Sequence, residues 1–291
     1  MPEYEYPLYR PPSEAQSLIF QVTYGCSHNR CLFCYMYKEK QFRVRPWSEL
    51  SDEIDDAAVK YPGTRKVFLA DGDAFALSSG KLARILDHIR ERFPMLQRVT
   101  AYANPSNFIT KSVEEMTMLR EKGLTILYYG VESGDPEVLG KIDKGATPDE
   151  MAEGCVKATE AGLKLSVTVI LGLAGRSGSE NHARKTAALI NRIQPRYLSA
   201  LTLMLGHHED EYLTGMGDGF EFNDAIDDIR ELRMLIEDLD NEKCIFRSNH
   251  ASNYLALAGT LQKDKKALLA TIDAALDRPE SYLRDEWMRG L

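Results

Sequence analysis

Residues 23–37 read "TYGCSHNRCLFCYMY", which places Cys26, Cys31 and Cys34, three of the chain's five cysteines, within nine positions. Thiolates are soft ligands, and a loop crowded with them suits zinc or an iron-sulfur cluster. An odd count with three bunched together does not read as a disulfide framework. A structural zinc site is normally closed by four protein ligands, and only His28 lies near enough in sequence to be the fourth. A cubane cluster also takes four ligands, so three cysteines leave one iron open. The other two read as core thiols, since free cysteine packs as a small hydrophobe. Cys155 falls in an amphipathic helical stretch and Cys244 at the start of an apolar run. Two leftover cysteines cannot by themselves ligate a second cubane.

Three further segments place polar or glycine residues directly after apolar runs. They are "DGD" at 71–73, "YYGVESGDPEVL" from 128 and "VILGLAG" from 169. Each alone also reads as a turn or a strand exit. Their order, each at the end of a run, gives them weight.

Cys26, Cys31 and Cys34, with Phe33 directly before the last, resemble the cluster loop of the radical S-adenosylmethionine (radical SAM) superfamily. That family's usual spacing is three residues, then two. This chain has four (Ser27, His28, Asn29, Arg30), then two (Leu32, Phe33), so the loop is one residue longer with the same ligand count. Asp71, Gly72 and Asp73 stand where family members carry a Gly-Gly-Glu-like segment that holds the methionine amino group of SAM, and Asp for Glu shortens the reach. "YYGVESGDPEVL" resembles the Gly-x-Glu-Ser-Gly segment of the subgroup that includes oxygen-independent coproporphyrinogen oxidase and the Elongator catalytic subunit. That likeness implies that Glu132 and Ser133 contact the ribose or methionine part of SAM. "VILGLAG" resembles the Gly-rich turn that passes the adenine, implicating Ile170, Gly172 and Leu173.

The resemblance spans residues 17–205 and implies a 4Fe-4S cluster with SAM chelating its open iron. An electron from a flavodoxin or ferredoxin then cleaves SAM to methionine and a 5'-deoxyadenosyl radical, which takes hydrogen from an inert C-H bond. The cofactors carry that chemistry; the protein orients them and excludes water.

Polar groups also crowd "FRSNHASNYLAL" at 246–257, where Arg247, Asn249, His250 and Asn253 are candidates for substrate binding. A capped turn before a helix is the competing reading, because Ser, Asn and His favour turns. Asn104 in "ANPSNF" is a further substrate candidate. "GHHEDEY" at 206–212 reads as a solvated acidic loop rather than a metal site, since its spacing aligns neither His207 nor His208 with a carboxylate. Tyr35 and Tyr37 either cover the cluster or pack at the barrel rim.

The elements that must position these residues alternate. Apolar runs at 17–23, 66–70, 98–103, 124–130, 163–172 and 196–205 read as strands, each followed by an amphipathic helical stretch. Ser48 is a plausible cap of the first helix, and Pro148 and Gly162 suit the start and stop of the one at 147–162. "KCIFRS" at 243–248 adds a strand before two C-terminal helical segments. The expected fold class is α/β, a partial (β/α)6 TIM-like barrel of the radical SAM core with a short C-terminal strand/helix extension. No Gly/Ser/Pro-rich linker interrupts the chain, so one domain over 1–291 is expected, with the core at about 17–205 and the extension at about 206–291.

The 291 residues carry a net charge of -8, which repels a polyanion and disfavours nucleic acid. No apolar run approaches the roughly 20 residues of a membrane span, and the N-terminus shows no signal peptide, so no membrane association and a cytoplasmic location are expected. A small-molecule substrate is the favoured class. Action on RNA or a peptide is the alternative, and a non-catalytic zinc or electron-transfer iron-sulfur protein is a third reading.

Overall fold

Apolar runs rich in Val, Ile, Leu and Phe fold as strands buried on both faces. The computed structural model describes residues 4–290. In chain order come β1 (Leu18–Gln21), β2 (Thr23–Tyr24), β3 (Arg43–Val44), α1 (Trp47–Lys60), β4 (Lys66–Ala70), α2 (Ser79–Arg92) and β5 (Arg98–Ala103). Then follow α3 (Pro105–Thr110), α4 (Val113–Glu121), β6 (Leu124–Glu132), α5 (Pro136–Lys141), α6 (Pro148–Glu160), β7 (Lys164–Leu171), α7 (Gly175–Ile193) and β8 (Tyr197–Thr202). The last elements are α8 (Glu209–Met216), α9 (Ala225–Asp238), β9 (Ile245–Arg247), β10 (Ala258–Thr260), α10 (Lys265–Asp277) and α11 (Pro279–Tyr282).

The chain gathers into two compact units. The first comprises residues 1–30, 34–129 and 153–165. In it β1, β4, β5 and β6 pair in that order, all parallel. Val67 to Ala70 are fully buried along β4, and Ile19, Phe68 and Ala70 form a cluster against which Tyr4, Leu8, Tyr102 and Tyr128 pack. β2 and β3 form a separate antiparallel pair, Thr23 with Val44 and Tyr24 with Arg43. That pair clasps the two ends of the segment holding the cysteines.

The second unit comprises residues 31–33, 130–152 and 166–291. There β7, β8 and β9 are parallel, and β10 turns back antiparallel on β9. Helix α9 packs between α7 and α10.

Each expected strand is present, and 243–248 contributes β9, which extends the parallel run. Three local details differ from the sequence reading. Ser48 lies inside α1, whose cap is Pro46. Residues 206–212 are not a loop: a 3-10 turn at Gly206–His208 leads into α8, with Tyr212 and Met216 buried one turn apart. β10 has no counterpart among the expected strands. Pro148 opens α6 and Gly162 follows it at φ +80°, as expected, and Ser112 and Asp224 accept from the backbone at the starts of α4 and α9.

Candidate functional site

In the first unit the site grows from the exit of β4. Asp71 is fully buried, and its Oδ2 accepts from Lys40 Nζ (2.9 Å), Gln21 Nε2 (3.1 Å) and the Gly25 N-H (3.3 Å). Lys40 Nζ also donates to the carbonyls of Glu5 and Pro7, both at 2.6 Å. One ammonium thus joins the N-terminal segment, the cysteine loop and β4. Asn29 closes the loop on itself, donating to the carbonyls of Tyr37 (2.7 Å) and Lys40 (3.2 Å).

Gly72 lies flat beneath Tyr37: a Cβ there would meet the ring at 2.5 Å. Tyr37 is buried, and burial, followed by the Asp71 charge, pushes its hydroxyl well above the ordinary range. Asp73 is fully buried. Its Oδ2 accepts from Ser27 Oγ and from Asn107 Nδ2 (3.3 Å), and its Oδ1 has no partner. Burial raises its carboxyl above the usual range, opposed by the bonds from Ser27, Asn107 and Asn104 and by Lys111.

Asn104 donates from Nδ2 to Cys26 Sγ at 3.2 Å. This residue, expected in a substrate pocket, therefore stands against the cysteine loop. Cys26 and Cys34 are half-buried in this unit, and the Cys34 charge is among the causes raising the hydroxyls of Tyr35, Tyr37 and Tyr102, each dominated by burial.

In the second unit, Cys31 and Phe33 are half-buried and flank Leu32, whose N-H donates to the Ile142 carbonyl at 2.9 Å. Glu132 ends β6 at φ +64°, a strained setting for a residue with a Cβ. Its carboxylate folds back over Gly130, two positions earlier on the same face of the strand, where any Cβ would collide with Oε1. Oε1 pairs with Lys144 Nζ at 3.0 Å, and Oε2 is buried without a partner. Ser133 is buried, and its Oγ accepts the Asp135 N-H (3.0 Å), which shapes the entry to α5.

At the exit of β7, Gly172 adopts φ +83° and donates its N-H to Glu231 Oε1 (3.2 Å). Ile170 and Leu173 are buried beside it, and the Leu173 carbonyl accepts from Tyr212 Oη at 2.7 Å. After β9, Asn253 is buried and spends its amide on Thr202 Oγ1 (3.0 Å) and the Ala200 carbonyl (2.9 Å), pinning the loop to β8. His250 Nδ1 faces Ser252 Oγ at 2.9 Å within the same turn. Arg247 and Asn249 are exposed, and Arg247 donates to the Phe246 carbonyl.

These residues fit a cluster and SAM. Ligation requires thiolates: Cys26, Cys31 and Cys34 are half-exposed, whereas burial pushes Cys155 and Cys244 up to about 12 and keeps them as thiols. Three buried carboxylate oxygens of the site, on Asp71, Asp73 and Glu132, each call for a donor, and SAM carries an ammonium and two ribose hydroxyls. Among the described residues no three His, Cys, Asp or Glu side chains converge on a single-ion position; the three thiolates of a cubane each bind a different iron.

Several of these partners escaped sequence reasoning. Lys40 and Lys144 carry no local signature. Asp228 and Glu231 do, because they fall on the same helical stripe as buried Leu232 and Leu235, where a charge is out of place.

The model of the Radical SAM superfamily matches residues 20–187. Among curated proteins, the chain is 25% identical over 167 residues to the uncharacterized methyltransferase PH0819 of Pyrococcus horikoshii, covering 57% of this chain and 35% of that one. It is 26% identical over 163 residues to the heme chaperone HemW of Mycobacterium tuberculosis, covering 54% and 40%. The chain thus spans 35% and 40% of the length of these relatives. Among solved structures, coproporphyrinogen III oxidase (HemN) from Escherichia coli matches with a TM-score of 0.57 at 16% identity, over 76% of this chain and 51% of that one. Methylornithine synthase (PylB) matches with a TM-score of 0.54 at 16% identity, over 79% and 63%. At such identities the likeness speaks to the fold alone, a partial TIM barrel.

Proposed function

The chain belongs to the radical SAM superfamily, and we propose that it works with a 4Fe-4S cluster and SAM to abstract hydrogen from a small-molecule substrate. When bound, the cluster and SAM supply a one-electron cleavage that yields methionine and a 5'-deoxyadenosyl radical. Cys26, Cys31 and Cys34 hold the cluster, and Asn104 tunes it through its hydrogen bond to the Cys26 sulfur. The observation that carries the reading is the partnerless, buried Oε2 of Glu132, whose other oxygen lies over Gly130. It accepts a SAM hydroxyl or ammonium, while Lys144 holds the other oxygen.

Asp73 Oδ1 accepts from the SAM ammonium; Ser27 and Asn107 fix its direction. Gly72 makes room for the Tyr37 ring and Gly172 allows the positive φ of its turn, and Ile170 and Leu173 line the adenine. Tyr37 and Tyr102 keep water from the cysteine loop. His250 and its neighbours in the loop after β9 receive the substrate, and a flavodoxin or ferredoxin delivers the electron. The net charge of -8 favours a small molecule over a polyanion.

The test is product formation and isotope transfer. Reconstituted, reduced protein should convert SAM to 5'-deoxyadenosine, and the Cys31→Ala variant should form none. Equal turnover by that variant would overturn the assignment of the cluster. With a perdeuterated cell extract divided by size, deuterium should enter 5'-deoxyadenosine from the low-mass fraction. Transfer from the macromolecular fraction alone would replace the small molecule by RNA or a peptide.

A further inference from the structure

Glu231 lies on α9, beyond the residues the superfamily model covers. Its carboxylate is fully buried and accepts four hydrogen bonds. Oε1 takes the Gly172 N-H (3.2 Å) and faces His182 Nδ1 (2.7 Å), and Oε2 takes Ser179 Oγ (2.6 Å) and Asn223 Nδ2 (3.0 Å). One side chain therefore binds the turn after β7, the first half of α7 and the approach to α9. Asn223 Nδ2 is shared with Asp228 Oδ1 (3.0 Å), the same oxygen that a Cβ on Gly172 would meet at 3.1 Å. The next residue of the turn is held likewise: Tyr212 of α8 donates to the Leu173 carbonyl at 2.7 Å.

Packing α7 on α9 does not require a carboxylate. Buried charge is costly, and apolar residues of similar volume fill such a position at least as well. What a carboxylate adds is a directional hold on a backbone N-H in a turn where φ is positive. Such preorganisation lowers the ordering cost of any ligand that binds the turn.

We propose that Glu231 is a positioning residue for SAM, setting the Gly172–Leu173 turn in the conformation that receives the adenine. This rests on the reading of that turn as a SAM contact. It makes α8 and α9 part of the cofactor site without touching the cofactor.

The test compares Glu231→Gln with Gly172→Ala in cluster-loaded protein, reading iron content, melting temperature, the Kd of SAM by equilibrium dialysis, and hydrogen exchange of the amides at 172–174. Glutamine keeps the shape but offers an N-H₂ where two donors now converge. Glu231→Gln should keep its iron, exchange faster at 172–174, and bind SAM about 10-fold more weakly, a change of roughly 1.4 kcal/mol. Should that variant not fold, Glu231→Asp takes its place, with a smaller rise in Kd. A lower melting temperature with the Kd unchanged would mean that Glu231 is only a packing hub, and would overturn the inference. Gly172→Ala should also weaken SAM binding. If it binds SAM as the parent does, the turn is not a SAM contact and the underlying reading fails. If it loses SAM while Glu231→Gln retains it, the positioning inference alone fails.

Discussion

Lys40 Nζ lies 2.9 Å from Asp71 Oδ2, with the two side chains 4% and 0% exposed. The pair joins the loop that carries the cysteines to the strand end that carries Asp73. A buried pair adds little net stability, but breaking one side leaves a charge without compensation. Here the lysine also satisfies two carbonyls of the N-terminal segment, so its removal undoes three acceptors at once.

Lys40→Met should accordingly destabilise the protein by about 3–5 kcal/mol in urea unfolding. Asp71→Asn should cost less, because the ammonium keeps its two carbonyl acceptors. The double variant should cost less than the sum of the singles. Additive costs would show that the pair is uncoupled.

Gly130→Ala should displace the Glu132 carboxylate from its seat above the strand. Its SAM affinity should fall about 10-fold or more, equivalent to roughly 1.4 kcal/mol. Glu132→Gln removes the partner charge of Lys144, and should lower both SAM affinity and melting temperature. Equilibrium dialysis and thermal unfolding check both; a Gly130→Ala variant with parental SAM affinity would separate the carboxylate from the cofactor.

Stability should depend on pH through Asp228. Burial raises its carboxyl from 3.8 to about 7, opposed by the Asn223 hydrogen bond and reinforced by the Glu231 charge. The folded state thus keeps a proton that the unfolded chain releases above about pH 4. This contribution is full below the unfolded value and is lost as pH rises through about 7. Asp228→Asn removes the loss, and its advantage over the parent should grow between about pH 4 and 7 and then level off, at no more than about 4 kcal/mol. Melting temperatures of the two proteins across that range decide the matter; a constant difference would contradict it.

Asn104→Ala should lower the reduction potential of the bound cluster, because a hydrogen bond to a ligating sulfur stabilises the reduced, more negative form. Anaerobic redox titration measures it. An unchanged potential would mean that the Asn104–Cys26 contact does not act on the cluster.

The sequence shows most clearly what repetition and burial impose. Strands such as Lys66–Ala70 are continuous apolar runs because both of their faces are buried, and the cysteine triplet is visible because its spacing is local. The carboxylate supports are less visible. Lys144 reaches Glu132 from twelve residues away and Lys40 reaches Asp71 from thirty-one, so neither pairing leaves a local pattern. Helix α8 is masked by Glu209, Asp210 and Glu211 in its first turn. A strand exit makes Asn104 a substrate candidate, but its contact with Cys26 is a tertiary fact. Glu231 left a trace, an acid on an apolar stripe, but no sequence rule connects it to Gly172, 59 residues earlier.

The most direct test of the central claim is the electron paramagnetic resonance spectrum of anaerobically reconstituted, dithionite-reduced protein, recorded with and without SAM. A reduced 4Fe-4S signal that changes when SAM is added is the predicted result, since three cysteines leave one iron for SAM to bind. A protein that takes up stoichiometric zinc and gives no cluster signal would contradict it, and so would a cluster signal indifferent to SAM.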